Sequence, residues 1–194
     1  MLKDSTHSLF NESFLQYRRS IEQTKLKIII LGPAKQSPGY DKRVQIRDHL
    51  RSNSIADDVA FPEDITVPPE VLPNGGQWPI IDFIIANAQM VFALLVDDRK
   101  VTGVLSEVTR YHDKKGFRDK SYLILPIARK KAKGSYFPLI WEAAAVYPKD
   151  RTLRYKDEEF RDCNITRAYV AAKVDIYRRR LRWDEYMEKK GLTT

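Results

Sequence analysis

Three carboxylates and one basic loop are the parts of this chain whose residue types and spacing could do chemistry together. Asp97 and Asp98 close an unbroken apolar run, Met90 to Val96, and Glu107 follows on the next helical stretch. Upstream, Gly32-Pro33 ends another apolar run and opens Ala34-Lys35-Gln36-Ser37-Pro38-Gly39-Tyr40, with Lys35 and Arg43 as its charged partners. A carboxylate can act as a nucleophile or stabilise a developing positive charge. A second acid group can orient a substrate or transfer a proton. A glycine turn ahead of a helix amino terminus suits phosphate or another anion.

Those groups need elements to position them. Met90–Val96 is too long to alternate and too short for a globular helix, so it reads as a strand buried on both faces. Thr102 then offers an N-cap, Gly103 a tight turn, and a helical pattern runs through His112. On that helix Val104, Leu105, Val108 and Tyr111 form one arc, and Glu107 falls roughly 60° from Val104, at the arc's margin. It lies too far in for a capping-box glutamate. A carboxylate there points along the rim where strand carboxyl ends meet helices, the usual binding crevice of open α/β sheets. The plainer alternative is a surface glutamate paired with Arg110.

Leu26–Leu31 reads as the first strand, stopped by Gly32-Pro33. The loop after it leads to a helix over 41–53, capped by Asp41. The stretch lacks both the G-x-G-x-x-G fingerprint and the G-K-[ST] of a P-loop. An anion site there competes with an ordinary strand-to-helix loop before a solvated basic helix, which Arg47 and Arg51 support. Ala60-Phe61-Pro62 reads as a short strand, 65–76 as a long irregular connection, and 78–87 as a largely buried helix with Pro79 in its first turn. Ser121–Pro126 is another buried strand, and Asp113-Lys114-Lys115-Gly116 ends the helix before it. The basic loop 128–134 is a solubilising turn or a phosphate-facing one. Residues 136–146 suggest a short helix carrying a further carboxylate, Glu142, and a charged segment, Pro148 to Asp162, connects onward.

Ile165, Tyr169, Ala172, Ile176 and Trp183 mark a long terminal helix over 164–189, packed on the domain or on a second subunit. Its arginines, Arg178, Arg179, Arg180 and Arg182, flank Tyr177 and Trp183 and could bind nucleic acid. No recognisable nucleic-acid module surrounds them, and basic residues near a helix carboxyl end need no ligand. At the other end, 11–24 suggests a short amphipathic helix and 1–9 is loose.

At 194 residues with a net charge of +8, the expectation is one domain over 1–194 whose charge favours anionic partners, though it equally describes many soluble proteins with no nucleic-acid role. A single cysteine, Cys163, excludes an internal disulfide framework and fits a reducing, cytoplasmic compartment. No apolar stretch is long enough to span a bilayer, and no signal-peptide core is visible at the N-terminus. Alternation of strands and helices implies a mainly parallel sheet with helices on both faces. The fold class expected is therefore α/β: a flavodoxin-like (Rossmann-like) three-layer sandwich with a long C-terminal helix.

In this order and spacing the chain resembles the nucleoside 2-deoxyribosyltransferase-like superfamily. Its matching pieces are Leu31-Gly32-Pro33, Arg43 or Arg47, Pro62, Asn87-Ala88-Gln89-Met90-Val91 leading to Asp97-Asp98, and Gly103 ahead of Glu107. It is also similar to Toll/interleukin-receptor (TIR) domains that hydrolyse NAD, which carry a glutamate on an equivalent helix. Val101 stands where the transferases place an acid before the signature glycine, and Val108 where they place a glycine after the glutamate. Asp97 or Asp98 would supply the missing acid. The resemblance implies an N-glycosidase or ribosyl-transfer enzyme acting on a nucleotide, NAD or nucleoside, with Glu107 as nucleophile or cation stabiliser. It further implies Asp97 and Asp98 as catalytic partners, with Gly32, Pro33, Lys35, Tyr40, Arg43 and Gly103 around the substrate. NAD enters as a substrate, with no cofactor and no metal, and a homo-oligomer completes the expectation. The competing expectations are a non-catalytic nucleotide-sensing or adaptor domain of the same fold, and a nucleic-acid-associated protein.

Overall fold

The structure is a computed structural model that describes residues 15–21, 23–53, 58–68, 70, 77–96, 103–111, 115–127, 142, 144–145, 147–155 and 165–189. These fall into two compact units, one of residues 26–168 and one of 1–25 with 169–194.

The larger unit is built on five parallel strands: β1 (Lys27–Leu31), β2 (Asp58–Ala60), β3 (Met90–Leu94), β4 (Ser121–Pro126) and β5 (Thr152–Tyr155). Their order across the sheet is β2-β1-β3-β4-β5, the order of flavodoxin-like doubly wound sheets. The long apolar runs became the inner strands because nothing in them needs water. Every residue of β3 is buried, as are Ile28 to Leu31 and Ser121 to Leu125.

Helices α1 (Tyr40–Asn53), α2 (Gln77–Asn87) and α3 (Gly103–Tyr111) connect the strands. Right-handed crossovers that leave β1 in opposite directions must put α1 on one face and α2 with α3 on the other. The contacts agree. Tyr111 of α3 donates to Asp82 of α2 at 2.5 Å, while His49 of α1 meets Thr166, near the start of the terminal helix, at 2.8 Å. Between α2 and β4, Lys120 Nζ donates to the carbonyls of Ile85 and Ala88 at 2.5 and 2.8 Å. A cation there completes carbonyls that the helix itself cannot pair.

Four expectations are corrected. The segment 148–162 is more than a connection, because Thr152–Tyr155 pairs with β4 as an edge strand. Leu153 and Tyr155 turn inward and Arg154 outward, a period-two pattern too short to stand out among charges. The second strand ends at Ala60 rather than Pro62, which instead opens a 3-10 turn, Pro62–Asp64; proline's fixed φ suits a first helical position. Asp41 is inside the first turn of α1 and not its cap. Gly116 is no helix stop either: it lies within a short helix α4 (Lys115–Arg118). Asp97, Asp98, Thr102, the loop 128–134 and Cys163 lie outside the described residues.

In the smaller unit a helical stretch within 15–23 accompanies most of α5 (Ile165–Lys189). Tyr17 meets Tyr177 edge-on at 5.5 Å between ring centroids, and Arg179 pairs with Asp175 at 2.6 Å. Arg178, Arg179, Arg180, Arg182 and Trp183 are all exposed. Among the described residues no helix is long and apolar enough to cross a membrane.

Gly39 shows how tightly the loop between β1 and α1 is seated. Its φ is +83°, and a Cβ added there would stand 2.7 Å from Val96 Cγ1, just past the end of β3. Gly39→Ala combines a left-handed backbone with an overlap, so it is expected to cost about 1–3 kcal/mol. Calorimetry of the purified variant checks this; an unchanged melting temperature would mean that the loop can lift off β3 freely.

Candidate functional site

Beyond the carboxyl ends of β1 and β3 the larger unit opens into a cleft of about 560 Å³. In a sheet ordered β2-β1-β3 the connections from β1 and from β3 depart to opposite faces, and the gap between them is where such folds bind ligands. The first wall is the β1 loop, with Gly32, Lys35 and Ser37; Arg43 of α1 stands behind it. Pro62 and Glu63 close the β2 side, and Ile80, Ile81, Gly103, Val104 and Glu107 form the opposite wall. The volume suits a small organic molecule.

The helix arc behaves as its phase requires. Val104, Val108 and Tyr111 are buried, and Glu107 is half-buried, facing the cleft. Arg110 does not hold it; that guanidinium lies 3.4 Å from Asp82. Burial pushes the Glu107 carboxyl up from its ordinary value to about 7. The positive charge of Arg43 pulls the other way, and the negative charge of Glu63 adds to the rise. A carboxyl placed so is evenly divided between its acid and its anion near neutral pH.

Arg43 lines the cleft but is not a free charge. Arg43, Ile46 and Leu50 share the buried stripe of α1, so its side chain is carried inward at the foot of the β1 loop. Nε and Nη2 donate to Ile30 O at 3.1 and 2.8 Å, and Nη1 donates to Pro33 O at 3.1 Å. Nη1 and Nη2 then fork onto the two oxygens of Glu63 at 2.6 and 2.8 Å. A guanidinium has five N–H groups, and all are used. Its carbon lies 4.2 Å from the centre of the Phe61 ring, against which Tyr40 also packs, edge-on at 6.0 Å. Tyr40 therefore supports the wall from behind, and Pro33 contributes a carbonyl to Arg43. Close approach explains Gly32, where a Cβ would stand 3.1 Å from Arg43 Cδ. Gly103 is different: a Cβ there would meet nothing within 4 Å, so its absence leaves room in the cleft rather than relieving a clash.

Of the expected site residues, then, Glu107, Gly32, Lys35, Arg43 and Gly103 come together around one cavity. Lys35 is the exposed cation among them. Glu142 is exposed and is not part of this wall. Glu63 is the residue that sequence reasoning missed. The signal was a carboxylate just after a strand's carboxyl end, the same positional rule that singled out Asp97, but it was hidden by placing the strand two residues too late. Among the described residues no group of three or more His, Cys, Asp or Glu side chains could hold a metal ion. No protein-family model matches the chain, and no curated protein matches it.

Proposed function

We propose that the cleft binds a nucleoside, a nucleotide or NAD and that Glu107 acts on its N-glycosidic bond. The observation carrying this is the desolvated carboxyl of Glu107 at the switch point of the sheet. The burial that makes its anion costly also makes that anion a strong partner for a cation developing beside it. In the reaction the C1′–N bond breaks with its electron pair on the base; a nucleoside or nucleotide base takes up the proton that the acceptor water or hydroxyl releases, whereas the nicotinamide of NAD leaves neutral and that proton goes to solvent. Glu107 either bonds C1′ as an ester, which water or another acceptor then displaces, or holds the cation while that acceptor adds there. The apolar Ile80 and Ile81 suit a base, and Lys35 suits a phosphate. Incubating the protein separately with NAD, nucleotides and nucleosides, and looking for free base by chromatography, tests this. No base released from any of them would sink it.

The acid form of Glu107 cannot capture a cation, so the pH profile has a defined sign. Below its pKa of about 7, kcat/KM should fall about tenfold per pH unit, and above it the rate should level off. A rate that instead declines above neutrality would assign Glu107 the role of proton donor.

Ligand binding without turnover is the second reading, and the same raised pKa favours it. A neutral carboxyl can simply donate a hydrogen bond to a bound nucleotide. Saturable binding with no base release separates the two.

A further inference from the structure

Glu63 is held at both oxygens and still faces the cleft. Arg43 forks onto it through both terminal nitrogens, at 2.6 and 2.8 Å, and the arginine side chain is only 3% exposed. The glutamate side chain, by contrast, is 46% exposed and lines the cleft. Pro62 and the 3-10 turn fix the backbone that carries it. A carboxylate offers about four lone-pair sites, and a forked guanidinium occupies one on each oxygen. At least one oxygen thus keeps an acceptor site directed away from Arg43.

We infer that Glu63 accepts a hydrogen bond from a ring hydroxyl of the sugar and so sets which sugar the cleft takes. This rests on the nucleoside reading of the cleft. The charges exclude an anionic ligand group, and among the groups of a nucleoside the sugar hydroxyls are the neutral donors. Arg43 and Glu63 cancel, Glu107 adds negative charge when ionised, and an anionic group at this end would meet net repulsion. A hydroxyl meets none. The carboxylate is also already immobilised, so ordering it costs the ligand little. Any phosphate belongs at the Lys35 end.

Affinities for the four ribonucleosides and their 2′-deoxy and 3′-deoxy counterparts, measured at pH 6 where Glu107 is mainly neutral, test the inference on the wild type, Glu63→Gln and Glu63→Asp. In the wild type, loss of one of the two hydroxyls should weaken binding about tenfold or more, the usual effect for a hydrogen bond to a charged group. In Glu63→Gln, with its outward acceptor altered, that ratio should shrink toward one while affinity for the deoxy ligand changes little. Glu63→Asp, which keeps the charge but withdraws it, should show the same reduced ratio and guards against misfolding of the first variant. A uniform loss across all ligands would mean that Glu63 only supports Arg43, and the inference would fall alone. A wild type that binds no nucleoside would overturn both this and the reading of the cleft.

Discussion

Glu107→Gln is expected to lower turnover by at least about 100-fold, close to 2.7 kcal/mol of transition-state stabilisation, while making the protein more stable above neutral pH. The amide keeps the volume of the acid and removes the charge that would meet the sugar cation. The stability gain follows from the same burial. Folding raises the Glu107 pKa from 4.5 to about 7, so the native state binds the proton more tightly than the unfolded chain does. Stability linked to this group is present in full below about pH 4.5 and is lost as pH rises through 7. Well above 7 the ionised carboxylate costs the fold about 3 kcal/mol, which glutamine avoids. Thermal midpoints of the two proteins should therefore coincide near pH 4 and separate by about 5–10 °C near pH 8. Equal activity in the variant would exclude Glu107 from the chemistry. A lower midpoint at pH 8 would show that the carboxylate, not the acid, is what the fold prefers.

Arg43→Met should have the largest effect on stability. It strands the carbonyls of Ile30 and Pro33 and releases Glu63, and its expected cost is about 3–5 kcal/mol. Arg43→Lys should recover little, because an ammonium has three donors around one point and cannot reach two carbonyls and a forked carboxylate together. Where Arg43→Met folds, Glu107 has lost the positive charge that pulls its pKa down, so that pKa must rise further and the acid limb of the pH profile must move to higher pH; Arg43→Lys, which keeps a cation, should move it less. Chemical denaturation and that profile measure the two consequences independently. A lysine variant as stable as the wild type would show that charge alone, not the five-bond geometry, holds the wall.

Much of this fold was legible because its inner strands are uniform. Ile28 to Leu31, Met90 to Val96 and Tyr122 to Leu125 are buried on both faces, and such burial leaves an uninterrupted apolar record. Glu107 was legible for a related reason: helical phase places a residue relative to a buried arc without any knowledge of neighbours. The edges were not legible. A four-residue strand with Arg154 facing outward carries no more pattern than a charged loop. The pairing of Arg43 was not legible, because a sequence shows that a guanidinium is charged but not where it points. Its spacing from Ile46 and Leu50 did place it on the inward stripe of α1, and that stripe was the overlooked clue. The Arg43–Glu63 fork joins residues that meet only once β1, α1 and the turn after β2 have assembled.

The placement of β1 has a kinetic consequence as well. This strand forms the floor of the cleft and pairs with β2 on one side and β3 on the other, yet both partners lie later in the chain. One is only three residues long, and the other starts at Met90. During synthesis Ile28 to Leu31 emerge before both partners, and their β3 side waits, apolar and unpaired, until a long loop closes to bring β3 alongside. Loop closure must precede the reward of contact, which makes parallel pairing slow and leaves the waiting strand open to association with other chains. The arrangement that puts a binding crevice beside β1 thus also makes β1 the segment most exposed to misassembly while the protein folds.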